Sequence, residues 1–207
     1  MAIEFSILKD LAVINNTAIE LVSVDKAIRK FIVNTEFLEE YSAIMSEIVC
    51  CYHVVIEGLD PLLTIENQAD FEQKFDGLFQ HFIDTYLIDI SRPRVHAELV
   101  YEKNLQFQKR KELKTHFPML KRNFIRLNAI IDKWLDNDIW LAMTIDSLFK
   151  LMARLLKEIK ETAEKDVDDA YLIYCGGIDH LREYLTVLVN HSNQLKISQI
   201  SELQSAS

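Results

Sequence analysis

Apolar positions recur along this chain at steps of three and four almost from end to end, the spacing that lines side chains along one face of an α-helix. The first set is Ile7, Leu11, Ile14, Ala18, Leu21, Ile28 and Ile32. Asp25 falls where another apolar residue is due, which predicts a break or a fresh cap at Ser23–Asp25 rather than a buried carboxylate, because a buried carboxylate needs a partner. A second helix, capped by Asn34 or Thr35 and stopped at Gly58, carries Leu38, Tyr41, Met45, Ile48, Tyr52 and Val55. The chain restarts at Thr64 or Asn67 with Phe71, Phe75, Leu78, Phe82 and Tyr86, an aromatic stripe whose spacing reads as core. Gly77 within that stripe would permit a close approach by another helix or a ligand.

Ser91–Arg94, with Pro93, breaks the middle of the chain. The apolar set then thins to Val95, Leu99, Val100, Leu105, Phe107 and Leu113, and a further helix opens near Pro118 with Leu120, Phe124, Leu127 and Ile131. The broadest seam follows, between Asp138 and Lys165. One row is Leu141, Ile145, Leu148, Met152, Leu155 and Ile159, and a second is Trp140, Phe149, Leu151 and Leu156. Such a wide face touches more than one neighbour, so this helix organises the core. The last seam runs Tyr171, Tyr174, Ile178, Leu181, Leu185, Leu188 and Leu195, with Gly176 and Gly177 marking a kink or a tight crossing. The expectation is an all-α, single-domain bundle of about six or seven mostly antiparallel helices. Residues 1–197 form the domain and 198–207 a frayed polar tail.

Composition narrows the classes. Among 207 residues, 49% are hydrophobic and 27% charged, with only 4 Gly and 3 Pro, too few turn formers for a chain of many short strands. The formal charge of −9 opposes non-specific attraction to nucleic acid or anionic membranes. Met1–Asp10 does not read as a secretory signal, and the uncharged run Ile48–Ile56 is far shorter than the roughly 20 residues a membrane span needs. Cys50, Cys51 and Cys175 give an odd count and read as reduced thiols of a cytoplasmic protein.

Few patterns carry chemistry. The chain has no phosphate-cradling glycine loop, no Cys-x-x-Cys and no nucleophile elbow. Glu36 with Glu39 and Glu57 with Asp60 repeat a three-residue carboxylate spacing, but on one helix the two pairs stand about 30 Å apart. His53 with Glu57, and His81 with Asp84, lie on consecutive helices, where four side chains between antiparallel neighbours would suit a di-metal site. His53, His81 or His116 would equally serve as the axial ligand of a haem. Lys103, Lys109, Arg110, Lys111, Lys114 and Arg122 form the one basic cluster in an acidic chain, a docking surface for an acidic partner or a phosphorylated ligand.

Together these features predict a regulator or adaptor of the antitoxin or immunity type, without a cofactor, that binds another protein, a basic one in particular. A metal- or haem-containing enzyme or sensor built on His53, Glu57, His81 and Asp84 is the alternative. A homodimer stays open, because a second copy can complete a broad seam as readily as the same chain can.

Overall fold

Among the described residues the three-four seams fold as helices, while Leu120, Phe124 and Ile131 of the seam after Pro118 lie outside them. The computed structural model describes residues 2–29, 35–87, 91–108, 125–127, 129 and 140–205, and no strand occurs among them. In chain order they form α1 (Ala2–Arg29), α2 (Thr35–Leu59), a 3-10 turn (Asp60–Thr64), α3 (Gln68–Phe82), a wider π turn (Ile83–Leu87), α4 (Ser91–Gln108), α5 (Trp140–Ala163) and α6 (Val167–Ser205). The protein is a single all-α bundle. Residues 125–127 are also helical, with Leu127 buried, and α6 continues to Ser205 through residues expected to fray. That segment lacks Gly and Pro and contains the good helix formers Gln199, Glu202, Leu203 and Gln204.

The core is the set of seams. Ile7, Leu11, Ile14, Ala18, Leu21 and Ile28 of α1 are buried, as are Tyr41, Met45, Ile48, Tyr52 and Val55 of α2. α5 contributes Ile145, Leu148, Phe149, Met152, Leu155, Leu156 and Ile159, and it packs against α1, α3, α4 and α6, as its double apolar row requires. The stripe on α3 is core: Phe71 stacks on Phe75 at 4.7 Å and meets Tyr174 at 5.4 Å, while Phe82 and Tyr86 close on Phe149 at 5.9 Å.

α1 and α6 run parallel to each other. Asn15 Nδ2 donates to the Tyr184 carbonyl oxygen at 3.0 Å and Lys26 Nζ donates to Gln194 Oε1 at 3.3 Å, so the two helices advance in the same direction. α2 and α4 oppose each other, with Arg92 beside Glu57 and Lys103 beside Glu47.

The end of α2 departs from the expected stop at Gly58. The helix continues to Leu59 and then tightens into the 3-10 turn, with Pro61 at its start. Carbonyl groups released there are claimed by phenols: Tyr86 Oη donates to the Glu57 carbonyl oxygen at 2.6 Å, and Tyr174 Oη donates to that of Leu62. Gly58 matters as a close approach, because a Cβ there would stand 2.9 Å from Phe149 Cζ and 3.2 Å from Tyr86 Cδ1. Gly77, by contrast, faces open space, so the permitted approach at that position is absent. Of the pair in α6, Gly177 abuts Leu155 Cδ2 at 3.0 Å and Gly176 faces open space, so the tight crossing belongs to Gly177 and the helix runs through both. Asn67 starts α3, its side chain accepting from the Asp70 amide at 3.0 Å.

Residues Glu39–Thr64 are long and apolar enough, by length and composition alone, to cross a membrane. The stretch exceeds the uncharged run Ile48–Ile56 because a span tolerates a few polar residues. More than half of it lies inside the bundle, as the central helix of a packed core does.

Asp25 neither breaks nor caps α1, which runs unbroken past it. Its carboxylate is buried, accepting from Arg29 Nε at 2.8 Å one turn on and from Tyr41 Oη at 3.1 Å across on α2. The Arg29 guanidinium also lies over the Tyr41 ring, 5.3 Å from its centroid. A partner four residues away satisfies the requirement that the seam alone left open.

Two mutational outcomes follow, both measurable by urea unfolding monitored by circular dichroism. Gly58→Ala should destabilise by about 1–3 kcal/mol through overpacking against Phe149, whereas Gly176→Ala should stabilise by up to about 1 kcal/mol. Arg29→Met should cost about 3–5 kcal/mol by stranding the Asp25 carboxylate, and most of that loss should be recovered in the double variant Asp25→Leu/Arg29→Met. If the double variant is as unstable as the single one, the buried charge is not what makes Arg29 necessary.

Candidate functional site

α2 has an outer stripe that its apolar seam does not consume. Glu47, Cys50 and His53 are half-buried on it, and Glu57 is exposed at its end. α4 lies along this stripe and answers with Arg92, His96 and Lys103, one turn and then two turns apart and therefore on one side of their helix. Glu47 stands at the centre. Its Oε1 accepts from Lys103 Nζ at 2.5 Å and its Oε2 lies 2.9 Å from His96 Nδ1, while Arg92 Nη2 reaches Glu57 Oε2 at 3.4 Å.

The electrostatics follow from this layout. Burial by itself would push the Glu47 carboxyl up, but the hydrogen bonds from Lys103 and His96 outweigh it and hold the group below the ordinary carboxylate range. The Cys50 thiol moves the other way, raised first by burial and then by the negative charge of Glu47. Burial raises Cys51 much further. Cys50, Cys51 and Cys175 form no disulfide, and the adjacent pair divides between the outer stripe and the core. Burial also lowers His53, and the Lys196 ammonium on α6 adds to the effect against the opposing charge of Glu57.

Donor atoms of Glu47, Cys50 and His96 all lie within 4.8 Å of one another. A carboxylate oxygen, a thiol sulfur and an imidazole nitrogen are together a donor set for a borderline divalent cation such as zinc, not for magnesium or calcium, which take oxygen.

The four residues expected to hold a di-metal site are placed differently. Glu57 faces Arg92, the exposed His81 has Nδ1 3.3 Å from Thr85 Oγ1, and Asp84 accepts from Gln80 Nε2 at 2.8 Å. Among the described residues, the group whose donors converge is Glu47, Cys50 and His96 rather than His53, Glu57, His81 and Asp84. Of the expected basic surface, Lys103 is committed to Glu47, and Lys109, Arg110, Lys111, Lys114 and Arg122 lie outside the described residues, as does His116. Glu47 and Cys50 carried a usable signal, since Glu-x-x-Cys puts both on one helical face. His96 did not, because its place opposite them depends on how α4 registers against α2.

Compared with protein-family models, curated proteins and solved structures, the chain matches none.

The depressed Glu47 carboxyl has a defined sign in the pH dependence of stability. Its contribution is complete above the unfolded-chain value near 4.5 and disappears as pH falls through the lower value of the folded state. Urea unfolding from pH 7 to pH 3 should therefore show an acid loss that is smaller in Glu47→Gln, by up to about 1 kcal/mol for a pair at the surface. Identical acid profiles would remove Glu47 from the groups that set the acid limit.

Proposed function

We propose that this protein is a cytosolic regulator or adaptor, of the antitoxin or immunity kind, that works by binding another protein through a basic surface of that partner. The observation carrying this reading is the charge at one end of the bundle. There the 3-10 turn and α3 meet the end of α5 and the start of α6, joined by Gln68 Nε2 donating to Asp168 Oδ1 at 2.5 Å and by Lys160 pairing with Asp76 at 3.2 Å. Residues 60–76 bring Asp60, Glu66, Asp70, Glu72 and Asp76 against Lys74. Residues 157–169 bring Glu158, Glu161, Glu164, Asp166, Asp168 and Asp169 against Lys157, Lys160 and Lys165.

Most of these carboxylates are exposed, and Lys74 and Lys157 are spent on intrahelical pairs with Asp70 and Glu161. Asp60, at the 3-10 turn, Asp70, at α3, and Asp166, Asp168 and Asp169, at α6, have a structural use near a helix start. The rest add a negative field concentrated at one end of a molecule of charge −9, a pattern that speeds encounter with a positive surface and selects against negative ones.

The test is affinity capture from a lysate of the source cells by the full chain and by the variant Glu72→Gln/Glu161→Gln/Glu164→Gln, which leaves Asn67 and Asp166 at the helix starts intact. One basic protein, recovered stoichiometrically by the wild type, released as salt rises and captured at least about tenfold less by the variant, supports the reading. Equal recovery by both proteins, or recovery of an acidic partner, overturns it.

A further inference from the structure

We infer that Glu47, Cys50 and His96 bind one zinc-class divalent cation between α2 and α4, with Lys103 holding the liganding carboxylate in place. This site is independent of the proposed protein contact, being made by different residues on other helices.

Three observations carry it. First, the donors come from two helices whose relative position is fixed elsewhere, by the apolar packing of Ala97 and Val100 in the core and by the Arg92–Glu57 pair. Second, the two carboxylate oxygens have separate tasks. Oε1 takes the Lys103 ammonium and Oε2 faces the imidazole, so a cation can replace the hydrogen bond between Oε2 and Nδ1 while Lys103 remains where it is. A ligating carboxylate held from outside by a hydrogen bond is a recurrent feature of metal sites. Third, the spacing is close to that of a coordination shell. Tetrahedral zinc with bonds of about 2.0–2.3 Å needs donors about 3.3–3.6 Å apart, and these three lie within 4.8 Å of one another, with Glu47 Oε2 and His96 Nδ1 at 2.9 Å.

The chemistry of the trio selects the cation. Sulfur and imidazole exclude magnesium and calcium, and three protein ligands leave a fourth position for water, which the half-buried setting admits. Binding displaces the proton of the Cys50 thiol and any proton on His96 Nδ1, both of which pass to solvent. The nearby Lys103 charge opposes the incoming cation and weakens its binding.

Titration of the reduced, full-length protein with cobalt(II), followed by competition with zinc, tests the site. The expected result is one ion per chain with a near-ultraviolet thiolate-to-cobalt charge-transfer band that zinc removes. Cys50→Ser should abolish the band, His96→Ala and Glu47→Gln should each weaken binding by at least about tenfold, and Cys175→Ser should change nothing. The inference is overturned by the absence of the band in the wild type, by its survival in Cys50→Ser, or by unchanged affinity in a His96→Ala protein whose helical circular dichroism matches the wild type. The last arm keeps the test decisive even if Cys50→Ser does not fold.

Discussion

A helix covered on several sides gives up water along most of its length, and every polar group it carries inward must then find a partner inside the protein. That requirement shapes the bundle more than any single apolar contact. α2 loses solvent to α4 and α6, and two tyrosines from other elements meet the carbonyl groups at its end. α1 brings a carboxylate into the core and supplies the guanidinium one turn later, with the Tyr41 phenol completing the arrangement. Asn15, also buried, spends its amide on the backbone of α6. Hydrophobic burial supplies most of the driving force, and these pairings fix which arrangement of rods is the native one.

The same logic separates the two faces of α2. Its inward side is apolar and its thiol, Cys51, is chemically quiet there, while its outward side carries groups that a neighbour has to neutralise. α4 neutralises them with an imidazole and an ammonium placed on the two oxygens of one carboxylate. An arrangement that began as the cover of one helix by another thereby gathers nitrogen, oxygen and sulfur in a small volume. The adjacent cysteines show why position counts more than composition: one step along the helix separates a thiol open to ligands from one that is not.

How much of this could be read from the sequence depends on whether the signal is local. The seams of α1, α5 and α6 are local, and most of their buried residues are ones the three-four spacing picks out, though Val22, Val24, Ala142 and Ala170 are buried outside it. Asp25 defeats the spacing rule, which marks it as foreign to the seam without showing Arg29, four residues on, as its partner. The close approach lies at Gly58 and not at Gly77, which spacing alone does not show, since the space around a glycine belongs to other helices and not to its own. The candidate site was half legible. Glu47 and Cys50 share a face by spacing, but His96 joins them only through the register of α4 on α2, and the histidines that looked promising, His53 and His81, point to separate surroundings.

The parallel pairing of the first and last helices sets an order on assembly. Asn15 and Tyr184 are 169 residues apart, so the apolar side of α1 leaves the ribosome long before the helix that shields it exists. Until then α1 lacks its cover, because its other neighbour, α5, also comes late in the chain. Shortening α6 from its far end would accordingly uncover the later turns of α1, around Lys26 where Gln194 meets it, and leave its first turns covered.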